Sequence, residues 1–384
     1  MQLFQTAGQS SKTALVAAAA CIYNPVAFGQ LTTLYVDAAH YYCWTIFSVN
    51  LLFAIRDRPY SALQLGIALV LLVTSKMTGA VFAAISILVF FAVAFIGGDK
   101  RDFFRKYKSV FGQLAIWFFV AIATIGYSPY VENVVSGKNV LYPVLGKDKV
   151  DILSGQVSPQ FLSMNRFHRF FVSYFSVPRN FNSSNIAEPT FVPSPEHLRE
   201  AFIALHTADT RFAGFGPFFA VMLIVCLIPF SFRKKTDVDI VIIYLIATLA
   251  IVLIHPQSWW ARYVPMLYVV PFLITAAFSN SRRQFHAIIA LAGMNSILAF
   301  ASVTGYVILK QGHYQNAVAS VREMCDHRPI ALTPSSMNWE FDLRDDNLRM
   351  TTNSAPAQPE CAVNFDNMMI MKKYVSRALR VDVW

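Results

Sequence analysis

One acidic and two basic side chains stand where apolar runs give way to polar turns, and together they could carry out group transfer to or from a phosphate. Asp37 directly precedes an apolar run, and Lys76 and Arg262 each lie in a short turn that precedes an apolar run. A carboxylate can act as a general base, while an ammonium and a guanidinium can neutralise a phosphate. Asp37 is therefore a candidate catalytic base, although its carboxylate could instead hold a divalent metal or orient a sugar hydroxyl. We expect Lys76 and Arg262 together to neutralise a phosphate.

Each of these side chains also has an ordinary structural use. A carboxylate near the start of a helix can cap it, which is worth about 1 kcal/mol. A lysine beside an apolar run can extend its ammonium to the lipid headgroups. The tryptophans next to Arg262 are typical of the aromatic belt at a membrane interface. The sequence supports both uses for all three residues.

Aromatic and basic side chains in the same polar stretches are candidates to line a substrate site. They are Tyr35, Tyr142, His168, Arg169, His255, Trp259, Trp260 and Tyr263. His168 and Arg169 alternate with phenylalanines, which is also typical of an amphipathic helix lying in the headgroup layer. An imidazole can titrate near neutral pH, but the sequence fixes no partner for His168.

The elements that must position these residues are apolar helices. Hydrophobic residues make up 55% of the 384-residue chain and charged residues 14%, whereas a soluble domain has about 25% charged residues. Several apolar runs approach the ~20 residues that cross a hydrocarbon core, and they lack the alternation of barrel strands. We therefore predict an all-α polytopic membrane protein with about nine crossings. The predicted helices are 12–28, 38–55, 60–75, 78–97, 110–127, 212–232, 239–254, 263–278 and 285–309.

Basic loops predict how these helices are oriented. Clusters at 56–58, 100–108, 233–235 and 282–283 are separated by two predicted helices each, so the positive-inside rule places all four in the cytoplasm. Topology thus accounts for the net charge of +10, and we predict no nucleic-acid partner. Residues 1–309 are then a transmembrane domain with the outer segment 128–211 inserted, and residues 310–384 are a small exported C-terminal segment.

Cysteine usage fits that topology. Cys325 and Cys361 fall in the exported segment, where an oxidising compartment would preserve a disulfide between them. Cys21, Cys43 and Cys226 lie in predicted helices and read as small apolar side chains. Zinc-ligand spacing, phosphate-binding glycine loops and dinucleotide motifs do not occur. No cofactor is therefore required, although a carboxylate at the outer face is compatible with a divalent metal of unknown identity.

Several short motifs resemble those of bacterial multi-spanning glycosyltransferases of the GT-C superfamily. They are Asn24-Pro25 with Gln30 and Tyr35-Val36-Asp37, the turn 74–79, Leu141-Tyr142-Pro143, Gly214-Phe215-Gly216-Pro217, and 259–265. The resemblance extends from about residue 24 to residue 271, and within the superfamily it lies near the protein O-mannosyltransferases and the aminoarabinose transferases of lipid A.

This resemblance implies a function. Such enzymes take a sugar from a polyprenyl phosphate or diphosphate and transfer it to an acceptor on the outer face of the bacterial inner membrane. Lys76 and Arg262 would hold the donor phosphate, and Asp37 would be the acid of the second outer loop. The lipid tail would stay between helices, and the C-terminus would be periplasmic.

The chain departs from the family at its start. Members carry their principal acid in the first outer loop, and no such loop precedes Asn24. The leading helices of the family are therefore expected to be absent. Three explanations of that departure are open. The reading frame could be shortened, a diverged protein could use Asp37 as its base instead, or catalysis could need a separate partner subunit.

Two other classes of protein compete with the enzyme. A non-catalytic subunit of envelope polysaccharide assembly would also lack the first acidic loop. A lipid or sugar transporter would place ionisable groups near the bilayer midplane, often in repeated halves. The sequence shows no internal repeat, and its charges lie mostly at the ends of apolar runs, so the transferase is favoured.

Overall fold

Helices account for most of the chain in the computed structural model, which describes residues 1–30, 35–143, 145–150, 157–178, 189–207, 210–228, 238–279, 281–325, 330–332, 350–351 and 361–363. Contacts divide the chain into two units, Met1–Thr304 and Gly305–Trp384. All the candidate site residues belong to the first unit, with the exception of the two cysteines predicted to form a disulfide.

The α-helices are α1 (Gln2–Thr6), α2 (Ser11–Ile22), α3 (Pro25–Gln30), α4 (Asp37–Ile55), α5 (Ala62–Ser75), α6 (Met77–Gly97), α7 (Phe103–Ala123), α8 (Glu132–Val135), α9 (Pro159–Ser163), α10 (Arg166–Tyr174), α11 (Pro195–Ala204), α12 (Phe219–Leu227), α13 (Val238–Ile254), α14 (Val270–Phe278) and α15 (Arg282–Cys325). Two short 3₁₀ turns, Ala261–Tyr263 and Pro265–Val269, precede α14. The second unit contains three very short strands, β1 (Ile330–Leu332), β2 (Met350–Thr351) and β3 (Cys361–Val363), paired in parallel in the order β2-β1-β3.

Among the residues that the structure describes, three helices are long and apolar enough to cross a membrane: Asp37–Ile55, Met77–Gly97 and Arg282–Leu309. Four shorter apolar helices accompany them, at Ser11–Ile22, Ala62–Ser75, Asp239–Ile254 and Pro265–Phe278. The predicted helical class is confirmed, and the apolar helices indicate a membrane protein. The predicted count of about nine crossings and their orientation stay predictions.

The predicted helix 12–28 is broken near its end, between Ile22 and Pro25. Asn24 donates a hydrogen bond through its side-chain amide to the carbonyl of Cys21 at 2.9 Å and accepts one from the N–H of Ala27 at 3.1 Å. One amide therefore serves the last turn of α2 and the first turn of α3, and Pro25 cannot continue the first helix because it lacks an N–H.

The predicted helix 212–232 begins later than expected. Gly216 has a φ of +90°, and a Cβ there would lie 2.4 Å from Oδ1 of Asn295. That oxygen accepts the N–H of Phe218 at 3.0 Å, just before α12. The glycine therefore lets α15 approach closely enough for Asn295 to bond the backbone ahead of α12.

The core of the first unit surrounds α4. This helix packs against α5, α6 and α13, and α5 packs against α7. In α4, 61% of an 18-residue apolar stretch is buried inside the protein, whereas in α6 the buried share of such a stretch is 33%. α4 is thus the central helix, and its first residue, Asp37, lies where the site is built.

Candidate functional site

Asp37 begins α4, but it does not cap the helix. The N–H of Ala38 donates to Oε1 of Gln30 at 2.6 Å, and the side-chain amide of Gln30 donates to Oδ2 of Asp37 at 3.3 Å. Gln30, at the end of α3, therefore bonds the open end of α4. The carboxylate of Asp37 is left to interact with cations, so the capping interpretation of Asp37 is wrong.

Lys76 lies at the corner between α5 and α6. Its backbone is extended, with φ −159° and ψ 142°, which ends one helix and starts the next. The neighbouring Ser75 lies 3.1 Å, Oγ to Nδ1, from His40 of α4. A Cβ on Gly79 would lie 1.8 Å from the carbonyl oxygen of Leu72 and 2.9 Å from Cε1 of His40. The corner can therefore close on α4 only because residue 79 lacks a side chain.

This corner brings Lys76 to Asp37. Nζ of Lys76 forms an ion pair with Oδ1 of Asp37, and Nε of Arg262 lies 3.7 Å from Oδ2. The three residues are separated by 39 or more positions and come from three elements. The contact that the predicted site requires is thus present, and the catalytic and binding roles stay predictions.

Aromatic rings fix the guanidinium of Arg262. Its Cζ lies 4.5 Å from the ring centroid of Tyr35, 4.7 Å from that of Trp260 and 5.0 Å from that of Tyr263. The ammonium of Lys76 lies 4.3 Å from the same Tyr263 ring. Cation–π contacts of this kind are worth about 0.5–2 kcal/mol each. Tyr35 and Tyr263 therefore belong to the site and position its cations.

The ion cluster is largely removed from water. The side chain of Asp37 is 4% exposed, that of Arg262 14% and that of Lys76 24%. Burial lowers the pKa of Lys76, and the repulsion of Arg262 adds to that effect, against the attraction of Asp37. Buried ion pairs seldom stabilise a fold better than apolar residues would. A functional reason for this cluster is therefore favoured.

His255 lies beside the site as a neutral ring, in contact with Tyr263. Its Nδ1 accepts the N–H of Gln257 at 3.2 Å, which leaves the proton of the neutral ring on Nε2. The ring stacks on Tyr263 with centroids 5.4 Å apart. Burial, with the nearby charges of Lys76 and Arg166, lowers the pKa of His255 to about 3. His255 can therefore donate a hydrogen bond but is a poor base.

Ligand binding should accordingly be insensitive to the protonation of His255 between about pH 5 and pH 8. With a pKa of about 3, the imidazolium forms only in stronger acid, so His255→Gln should keep the shape of the binding profile across that range. Titration of polyprenyl phosphate onto both proteins tests this. An acid limb near pH 6 that occurs in the unchanged protein and disappears in His255→Gln would contradict it.

The tryptophan pair has a different role from an interfacial belt. Trp259 and Trp260 are 1% and 2% exposed, and their rings stack with centroids 5.2 Å apart. They form a small core with Phe161 of the outer segment and with Phe212, which directly follows that segment. The belt interpretation is thus wrong for both residues. Their burial anchors the turn that carries Arg262.

The remaining predicted lining residues lie in the outer segment. His168 is exposed on α10, and Arg169 beside it is half-buried. Lys138 lies 4.2 Å from the ring centroid of Tyr142, and both border an open cleft of about 250 Å³ that also includes Lys147. These contacts give His168, Arg169 and Tyr142 no demonstrated part in the ion cluster.

Four further residues shape the site without having been singled out as site residues. Gln30 and His40 hold the carboxylate and the lysine corner. Arg166 donates hydrogen bonds to the carbonyls of Val252 and His255, which fixes the end of α13. Arg211 is 8% exposed, and its Cζ lies 4.3 Å from the ring centroid of Trp260. The sequence signal that could have indicated Arg211 is its position directly before Phe212, where a predicted apolar helix starts.

The groups that contact the carboxylate of Asp37 come from the protein itself. Within the described ranges, three or more His, Cys, Asp or Glu side chains do not come together in a metal-binding arrangement. Asp37 is occupied by cations instead. The predicted disulfide between Cys325 and Cys361 concerns side chains that lie outside the described part of the chain.

The fold and site can be set against known proteins. No family model, curated protein or solved structure matches the chain. The resemblance to the GT-C superfamily therefore depends on the short motifs alone, and the functional argument depends on the ion cluster.

Proposed function

We propose that this chain is a glycosyltransferase that moves a sugar from a polyprenyl-phosphate donor to a cell-envelope acceptor. The reaction would take place on the outer face of the bacterial inner membrane. One observation carries the proposal: a buried carboxylate contacts two cations from distant parts of the sequence. Such a cluster supplies a base and a phosphate-binding pair within one site.

The chemistry assigns one role to each charge. The acceptor hydroxyl gives its proton to Asp37 while its oxygen bonds to the anomeric carbon of the sugar. The bond between that carbon and the phosphate oxygen breaks, and the electron pair leaves with the polyprenyl phosphate. Lys76 and Arg262 balance the charge that develops on the leaving group.

The ion pair between Lys76 and Asp37 fits this sequence of events. A phosphate that enters the site offers Lys76 a second anionic partner. Transfer of the ammonium to the phosphate would release the carboxylate for the acceptor hydroxyl. The base would then become available only when the donor is bound.

The aromatic rings support the same use of the site. Tyr35 is 43% exposed, although its ring contacts the guanidinium of Arg262. It therefore offers a partly open ring beside buried charges, and sugars commonly stack on such rings through their C–H faces. His255 adds a neutral donor for a phosphate or sugar oxygen.

The test is an activity assay on the purified chain in liposomes with radiolabelled polyprenyl-phosphate sugars and a cell-envelope extract as acceptor. We expect label to move from the lipid to the acceptor fraction and to stop doing so in Asp37→Asn. Passage of intact labelled donor to the opposite leaflet without transfer would favour a transporter instead. A protein that shows no sugar transfer and does not bind the donor would refute the proposal.

A further inference from the structure

A second group of cations lies at the start of α7, away from Asp37 in the sequence. Phe104, Arg105, Lys108 and Phe111 line an open groove of about 570 Å³. Phe104, Lys108 and Phe111 follow one another at intervals of four and three positions, and Arg105 lies three positions before Lys108, so the four residues border one side of the helix. The ring centroids of Phe104 and Phe111 are 6.3 Å apart.

The cations of this groove are available to a ligand. Lys106, on the same turn, forms an ion pair with Asp57 at 2.6 Å. Arg105 and Lys108 form no ion pair with any residue that the structure describes. Two positive charges therefore border the groove without an ion-pair partner in the part of the chain that the structure describes, which favours an anionic occupant.

The groove also contains apolar surface. A site for a soluble anion would not require such surface. Phe104 is 71% exposed in the midst of charged residues. Exposed aromatic rings next to cations are typical of surfaces that meet the boundary between headgroups and acyl chains.

Its place in the chain points to the same boundary. The membrane-length helix α6 ends at Gly97, and its last turns expose Phe95 and Ile96, at 38% and 79%. Farther along α7, Ile116 and Phe119 are 63% and 73% exposed. Apolar exposed surface thus lies on both sides of the cationic groove along the sequence, as expected for residues at headgroup depth.

We propose that this groove binds an anionic phospholipid, with the headgroup phosphate on Arg105 and Lys108 and an acyl chain against Phe104 and Phe111. The site does not depend on the glycosyltransferase proposal, because none of its residues belongs to the ion cluster. It would anchor the start of α7 at the headgroup layer.

The experiment measures lipid retention by native mass spectrometry. The full chain is placed in nanodiscs of phosphatidylcholine with one part in five phosphatidylglycerol, and bound lipid is counted after release. We expect Arg105→Gln/Lys108→Gln to lower phosphatidylglycerol retention about 25-fold, since each of the two cations that would hold the headgroup contributes on the order of a fivefold effect. The matched control Lys100→Gln/Arg101→Gln removes the same charge from the adjacent loop and should change retention less than twofold. Equal losses in both double variants would overturn the site in favour of a general charge effect.

A second variant separates a lipid from a soluble anion. Phe104→Ala keeps every charge and removes an exposed ring, so folding should be unaffected. We expect it to lower retention of phosphatidylglycerol at least about threefold, as loss of apolar contact requires. Competition by millimolar glycerol 3-phosphate that empties the groove, together with normal retention in Phe104→Ala, would show a site for free phosphate and overturn the proposal.

Discussion

Asp37→Asn is expected to lower the rate of sugar transfer by about 10³-fold, because general base catalysis commonly contributes 10²- to 10⁴-fold. Asparagine has nearly the same shape and can still accept the hydrogen bond from Gln30, but it cannot take a proton from the acceptor hydroxyl. Initial rates of label transfer from the polyprenyl donor at saturating donor concentration measure the effect.

The affinity for the donor should not decrease in this variant. In Asp37→Asn the ammonium of Lys76 has lost its carboxylate partner, so it is free to engage the phosphate. We expect the dissociation constant for polyprenyl phosphate to stay the same or fall. A purely structural carboxylate predicts another pattern, in which binding, transfer and thermal stability all decline together.

A matched control is available on another helix. Asp239 also lies in a first helical turn, and it forms an ion pair with Arg56 at 2.7 Å. Asp239→Asn should leave transfer within about twofold of the unchanged protein, as surface ion pairs contribute little. Near-normal transfer in Asp37→Asn would remove Asp37 from the catalytic mechanism.

The contact among Asp37, Lys76 and Arg262 was predictable from sequence for a physical reason. Charges bordering apolar helices must reach water, headgroups or one another, and there are few of them in this chain. Three charges of both signs at the ends of apolar runs therefore have a limited set of partners. The pattern did not reveal which cation would pair with the carboxylate.

The residues that hold this cluster were harder to predict. Gln30 and His40 act through contacts between helices, and neither one interrupts a hydropathy pattern in a way that marks a site. Arg211 lay at the edge of a predicted helix and was assigned to the outer segment. Its contact with Trp260 depends on how that segment folds back, which periodicity along the chain does not encode.

Helix boundaries show the same limit. The predicted helix 212–232 looked continuous because its residues are apolar, whereas α12 begins only at Phe219. The positive φ of Gly216 and the side chain of Asn295 decide that boundary. Hydropathy predicts that a segment is apolar, but tertiary hydrogen bonds determine where the helix starts.

Arg262→Ala is expected to raise the dissociation constant for polyprenyl phosphate by about 10- to 100-fold, the range for loss of hydrogen bonds to a charged group. The guanidinium is held against the ring of Tyr35 at 4.5 Å, so little of its motion must be lost on binding. Arg262→Lys keeps the charge but loses the fork, and it should give an intermediate affinity. Arg101→Ala, which removes an exposed arginine, is the control and should have no effect on donor affinity.

The same measurement tests whether both cations hold one phosphate. If Lys76 and Arg262 bind the same group, then Lys76→Met and Arg262→Ala should not be additive, and the double variant should lose less affinity than the two single losses combined. Full additivity would place the two cations on separate parts of the ligand, such as the two phosphates of a diphosphate. Unchanged donor affinity in Arg262→Ala, in a protein that remains folded, would leave the guanidinium as a structural partner of Asp37 and the surrounding rings.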